Sequence, residues 1–185
     1  MELLDAINTC LTAIGEARVT SLDTRHPSVD LIKQTLEQKQ RLLLERGWWF
    51  NIEYEKMYPD LLNRITYPAD AIAIKSMDGY TIYSRRNGYL YDNTCNTTEF
   101  TGPVNIQVTV NLDFEDLPES AATVVTYRAA RAVYVGDFGN DSSVSDMGQN
   151  EMAAMLLLEE QHLRNMKHST RRRRQWGKYQ SALSG

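Results

Sequence analysis

Arg46-Gly47-Trp48-Trp49-Phe50-Asn51-Ile52-Glu53 divides the chain into two kinds of pattern. Before it, apolar residues recur at helical spacing; after it, they alternate as in strands. Gly47 has no Cβ and suits the left-handed position that closes a helix. Beyond it, alternation predicts that Trp48, Phe50, Ile52 and Tyr54 share one face, with Trp49, Asn51, Glu53 and Glu55 on the other. The octapeptide is therefore expected to join a helical unit to a β unit.

Upstream, Leu3, Leu4, Ile7, Cys10, Leu11 and Ile14 form a stripe at 3/4 spacing that Gly15 ends, which predicts a first helix. After a polar connector, Pro27 fixes φ for a second helix start, and Asp30 favours the positive end of its dipole. Val29, Ile32, Leu36 and Leu43 supply the buried stripe, and Glu37 and Arg41 stand at i,i+4 spacing on the outside. This helix is expected to run to Arg46.

Downstream, Asp78-Gly79 and Asn87-Gly88 are two-residue hairpin signals, each followed by an aromatic-rich run. Val104, Ile106, Val108 and Val110 alternate strictly with Asn105, Gln107, Thr109 and Asn111. The region is expected to form one antiparallel meander of about four to six strands. Leu117-Pro118-Glu119 re-enters helix. Ala121, Ala122, Val125, Ala129, Ala132 and Val133 give that helix a small-residue face suited to close approach. A Gly/Asn/Asp/Ser loop over 136–143 precedes a long helix from Val144 to about His168, with Met147, Met155, Leu158, His162 and Met166 as candidate buried positions.

The expected class is α+β: a four-helix bundle with an inserted small antiparallel β domain and an extended basic tail. The expected divisions are 1–47 and 115–170 for the two halves of the bundle, 48–114 for the insertion and 171–185 for the tail.

Composition is that of a globular chain, with 42% hydrophobic and 24% charged residues. No run approaches the roughly 18 apolar residues of a membrane span. The first residues are acidic and lack a signal peptide's basic leader, so synthesis in the cytoplasm is expected. Cys10 and Cys95 are expected as free thiols, Cys10 on a core face and Cys95 in a polar turn. Charge is uneven. From Arg164 onward there are seven basic residues and no acidic one; removing that +7 from the formal −4 leaves −11 on residues 1–163.

Chemical motifs are sparse. Asp113, Glu115 and Asp116 could pair as general acid and base, but acids before a helix commonly serve its N-terminus. Three histidines and two cysteines without CxxC or HxxxH spacing give no zinc site. Neither a nucleophile elbow nor a phosphate-binding glycine loop is present, and Gly136-x-x-Gly139 is too little to hold a phosphate. No catalytic residue, metal or cofactor is assigned. Trp49 and the small face at Ala122 and Ala129 are candidates for subunit contact. Arg171, Arg172, Arg173 and Arg174, followed by Trp176 and Tyr179, could dock on a partner protein, bind nucleic acid through phosphates, or be a solvated tail. The aromatics favour partner docking. Seven β-region tyrosines suit either interfaces or plain strand propensity.

The junction octapeptide resembles the Arg-Gly-Trp-x-Phe-Asn-x-Glu signature of tail tubular protein A, the head-to-tail adaptor family of short-tailed bacteriophages. Ile14-Gly15-Glu16 with Val19-Thr20-Ser21-Leu22 resembles that family's N-terminal segment. Gly88-Tyr89-Leu90-Tyr91-Asp92 and Leu112-Asp113-Phe114-Glu115-Asp116-Leu117-Pro118 resemble later ones, in order, from about residue 3 to 135. The resemblance implies a virion structural protein: a four-helix bundle with a β insertion, assembled as a dodecameric ring between portal protein and tail nozzle. It further implies nearby tail fibres and DNA passing through without enzymatic turnover. The family pattern has no counterpart of Arg171–Arg174, so the tail takes no role from it. The rival class is a nucleic-acid-binding module using that tail; a small hydrolase built on Asp113–Asp116 is a second.

Overall fold

The computed structural model describes residues 1–23 and 26–166. The elements follow in the order α1 (Leu3–Ala13), α2 (Pro27–Leu44), β1 (Ile52–Met57), β2 (Ala71–Ser76), β3 (Tyr83–Arg86), β4 (Tyr89–Asp92), β5 (Val104–Val110), a 3-10 turn (Phe114–Asp116), α3 (Glu119–Phe138) and α4 (Ser142–Asn165). Helix and sheet are segregated along the chain, as in an α+β fold.

The expected stripes are the buried ones. Ile7, Cys10 and Leu11 of α1 and Val29, Ile32, Leu36 and Leu43 of α2 are all in the helical core. Gly15 and Gly47 lie at φ +77° and +75°, where a side chain would be strained. Between Glu37 and Arg41 no ion pair forms among the described residues. α3 is the central helix and packs against α1, α2 and α4. Its small residues are interior: Ala121, Ala122, Val125 and Ala129 are fully buried. α4 runs antiparallel along α3. Ser120 bonds to Gln161 at 2.6 Å at one end, and Tyr134 to Asp141 at 2.6 Å at the other. Between them Arg128 and Arg131 grip the nearly buried Glu151 at 2.7 and 2.8 Å.

The β region departs from the expected meander. It forms a three-stranded antiparallel sheet in the order β1-β5-β2 and a separate β3-β4 hairpin. β5, the best-patterned strand, is central, so even its polar-face Thr109 is buried. Asn87-Gly88 makes the hairpin turn, with φ +51° and +81°. Asp78-Gly79 does not, because β2 pairs with β5 and not with β3. Instead the Asp78 carboxylate accepts from the Tyr80 and Thr81 N–H groups at 2.8 and 2.9 Å and from the Thr81 hydroxyl at 2.6 Å. The sequence signal marked a turn, and the side chain bent it away from hairpin geometry. A bulge at Ile72 separates it from Ile74: Ile72 packs on the helical core, Ile74 in the β core.

The junction also differs from the expected alternation. Trp48–Asn51 is a tight turn, and β1 begins only at Ile52. Trp48 is fully buried, with its indole N–H donating to Leu43 O at 2.8 Å. Asn51, expected outside, is fully buried too. Its side-chain oxygen accepts from Trp48 N–H at 2.7 Å, and its amide donates to Leu44 O and Val110 O, both at 3.0 Å. Leu44 O is among the last carbonyls of α2, which have no partner within the helix. One amide thus ties the end of α2 to the end of β5.

Replacing Asn51 by Ala strands the buried Trp48 N–H and takes one partner each from Val110 O and from Leu44 O, which keeps the Gly47 N–H at 3.0 Å; each loss costs about 1–3 kcal/mol. Asn51→Ala is expected to lower the unfolding free energy by about 3 kcal/mol in urea denaturation followed by circular dichroism.

Candidate assembly surfaces

Buried chemistry in this chain is structural. Burial pushes the Cys10 thiol up to about 12, leaving it protonated and inert, while Cys95 is exposed and free. Asp113, Glu115 and Asp116 flank the 3-10 turn that leads into α3. Among the described residues no cluster of His, Cys, Asp or Glu could hold a metal ion, and no helix is long and apolar enough to cross a membrane.

What stands out is where large apolar side chains meet solvent. The first group sits at the far end of the three-stranded sheet. β1 ends at Met57 opposite Val104, and β2 ends at Ser76 opposite Ile106, so both following loops leave from that end. They carry Tyr58, Leu61, Leu62, Met77, Tyr80 and Ile82, all well exposed. These loops are held in place. Asp60 Oδ1 accepts from the N–H groups of Leu62 and Arg64 at 2.8 and 2.9 Å, Asp60 N–H donates to Arg64 O at 2.7 Å, and Asn63 takes φ +59°. In the second loop the hydrogen bonds from Thr81 and Tyr80 hold the Asp78 carboxyl well below the usual carboxylate range. Both apolar tips are thus pre-formed, which lowers the ordering cost of a contact.

The second group lies on α4. Leu158 faces α3 and is fully buried, but Met152, Leu156 and Leu163 recur at i, i+4 and i+11 on the opposite side. Leu157 and Met166 extend this outer face. Met166, expected in the core, is thus a correction: it is the C-cap of α4, its N–H donating to His162 O at 2.9 Å, and its side chain is exposed.

Of the residues singled out from sequence, Trp49 is half-buried, edge-on to Phe50 at 4.9 Å and tilted against His162 at 6.1 Å. Ala122 and Ala129 are corrected: fully buried against other helices of the same chain, they leave nothing for a neighbour to touch. Arg171, Arg172, Arg173, Arg174, Trp176 and Tyr179 lie outside the described residues. The tyrosines divide. Tyr67 is buried, and Tyr91 lies under the Arg86 guanidinium at 3.6 Å; Tyr54, Tyr58 and Tyr80 are open to solvent. Leu61 and Leu62 carried an unused signal: an apolar pair inside a Pro-Asp…Asn turn has no core to enter.

Apolar tips on a sheet and a second apolar face on a helix, both exposed, are the kind of surface that marks contact with other chains, the class of a structural subunit. Comparison with known proteins gives the class its name. The family model described as tail tubular protein matches residues 4–172. Tail tubular protein A of Klebsiella phage KP34 is 36% identical over 174 residues, covering 94% of each chain. The chain belongs to the tail tubular protein family and is a structural protein of a bacteriophage tail.

Exposed and buried leucines should answer differently to truncation. Leu61→Ser and Leu156→Ser are expected to shift the unfolding free energy of the isolated chain by no more than about 0.5 kcal/mol, against about 3 kcal/mol for Leu158→Ala. Urea midpoints of the three variants check this.

Proposed function

We propose that the chain is a head-to-tail adaptor, closing into a ring of twelve copies between the portal protein and the tail nozzle, near the tail fibres. The observation that supports this best is the pair of unpartnered apolar surfaces on different elements of one chain, the sheet tips and the outer face of α4. A ring needs a heterologous contact, in which two different patches of the same subunit meet in the assembly. The axial partners need further surface. Trp49, on the bundle–sheet junction, is a further contact candidate. In this role the protein catalyses nothing and uses no cofactor, and its chemistry is contact.

DNA leaving the head would pass through the ring. Each phosphate contact adds salt-dependent affinity, so a channel must not hold the duplex through basic residues. The −11 carried by residues 1–163 suits that passage. The basic tail, with Trp176 and Tyr179, is the segment proposed to engage the portal or the next subunit. The rival reading, a nucleic-acid-binding module, requires duplex affinity that falls steeply with salt.

Mass measurement of the purified chain with and without portal tests the proposal. A closed oligomer, or a portal-dependent one, is expected, and the double variant Leu156→Glu, Leu163→Glu should prevent it while the circular dichroism spectrum is unchanged. A chain that stays monomeric beside assembled portal overturns the adaptor role. Deleting residues 170–185 is expected to weaken portal binding at least tenfold with the fold intact; undiminished binding removes the tail from that contact.

A further inference from the structure

A groove of about 570 Å³ opens between α2 and the segment that leads from β5 into α3. Its floor is apolar, from Leu3, Leu36 and Phe114, and its rim is acidic, from Glu37, Asp113 and Glu115. Lys33 and Arg41 also line it, but the Lys33 ammonium donates to Leu22 O at 2.7 Å. Just outside are Asp116 on the same connection, Glu119 at the start of α3, Glu2 at the N-cap of α1 and Asp5 in its first turn; the Met1 amino group meets Glu119 at 2.5 Å. Against these seven carboxylates stand three cations, Lys33, Arg41 and the Met1 amino group, so this end of the helical layer carries a net −4.

The antiparallel run of α4 brings its last turn to the same end, since Gln161 bonds to Ser120 only six residues after Phe114. Residues 167–185 continue from there with six basic residues, no acidic one, and Trp176 and Tyr179. Extended chain spans roughly 3.3 Å per residue, so Arg171 can stand about 17 Å beyond Met166 and the segment can reach about 60 Å. We propose that residues 167–185 dock in this groove of their own chain, Arg171–Arg174 against the acidic rim and Trp176 on the apolar floor.

Three features carry the assignment. The segment starts at the groove's end of the molecule, its charge is opposite to the rim, and its aromatic ring matches an apolar floor that several carboxylates surround. Exposed ion pairs are individually weak, but a tether makes docking intramolecular, at an effective concentration in the millimolar range for a short flexible linker. Docking also neutralises the tail. A free run of four arginines would bind duplex through phosphates, whereas one covered by carboxylates does not. The proposal describes the free chain, before assembly hands the tail to the portal or the next subunit, and it stands or falls on the isolated chain.

Zero-length carbodiimide cross-linking of the full-length chain, read by mass spectrometry, tests it. Lys167 or Lys178 is expected to couple to Glu37, Asp113 or Glu115, and high salt should abolish the products. In a mixture of light and heavy isotope-labelled chains, these cross-links should stay within one label. Cross-links that join different labels, or that miss the groove while reaching other carboxylates, overturn the proposal. In the variant Asp113→Asn, Glu115→Gln, with the circular dichroism spectrum as a check on folding, duplex DNA affinity at low salt should rise about tenfold as the tail is released. An unchanged affinity in the folded variant overturns the proposal too; if the variant does not fold, the cross-links of the native chain decide alone.

Discussion

The side chain of Asn51 is the contact on which the relation of helices to sheet depends. A buried amide with unmet hydrogen bonds is costly, and one that satisfies a helix end, a strand end and a turn at once admits few alternative geometries. Asn51 reaches Leu44 O, Val110 O and Trp48 N–H, and Val110 N–H in turn donates to Asn51 O at 2.9 Å. Around it the other residues of the octapeptide act in concert. Gly47 reverses the chain at positive φ, the Trp48 indole caps Leu43 O, and the Arg46 guanidinium lies 4.7 Å over the Trp48 ring while pairing with Glu159 of α4 at 2.7 Å. The junction therefore fixes three things together: the end of α2, the start of the sheet and the position of α4.

Much of the helical part was legible because burial in an amphipathic helix repeats with its own period. The stripes of α1 and α2, the stops at Gly15 and Gly47 and the pattern of β5 depend on local spacing, and the structure contains them. The β topology was less legible. Which strand sits in the centre depends on pairings between residues far apart in the chain, such as Ile52 with Thr109 and Ala71 with Val110, and alternation carries no trace of partner identity. Asp78-Gly79 shows the limit of a dipeptide signal. It specified a turn, but the Asp78 carboxylate found nearer donors in Tyr80 and Thr81 than a returning strand could offer. Asn51 was misplaced for a related reason. Alternation assigns a polar residue to the water-facing side, and only the three-dimensional meeting of two chain ends gives a buried amide enough partners.

The contact surfaces were the least legible. The small face of α3 suggested a neighbour, and it has one, but within the chain: α1, α2 and α4 already cover Ala122 and Ala129. Sequence alone shows that a face can pack closely and not what packs there. Leu61 and Leu62 carry no periodic signal, and Tyr80 is one of seven β-region tyrosines that suit interfaces and strand propensity alike. The importance of these tips comes from both loops leaving one end of one sheet.

α4 carries the argument furthest. A helix laid on a layer of others needs one apolar side, and Leu158 with its neighbours provides it. Met152, Leu156 and Leu163 lie on the other side, where water contact brings no stability to an isolated chain and makes association favourable. Polar residues at those positions would serve a monomer better, since its unfolding would hardly register the change. Apolar ones make sense where a second surface covers them. The side chains that do most for the fold and those left exposed therefore alternate along one helix, and the Glu151 clamp to Arg128 and Arg131 ties its buried side to α3.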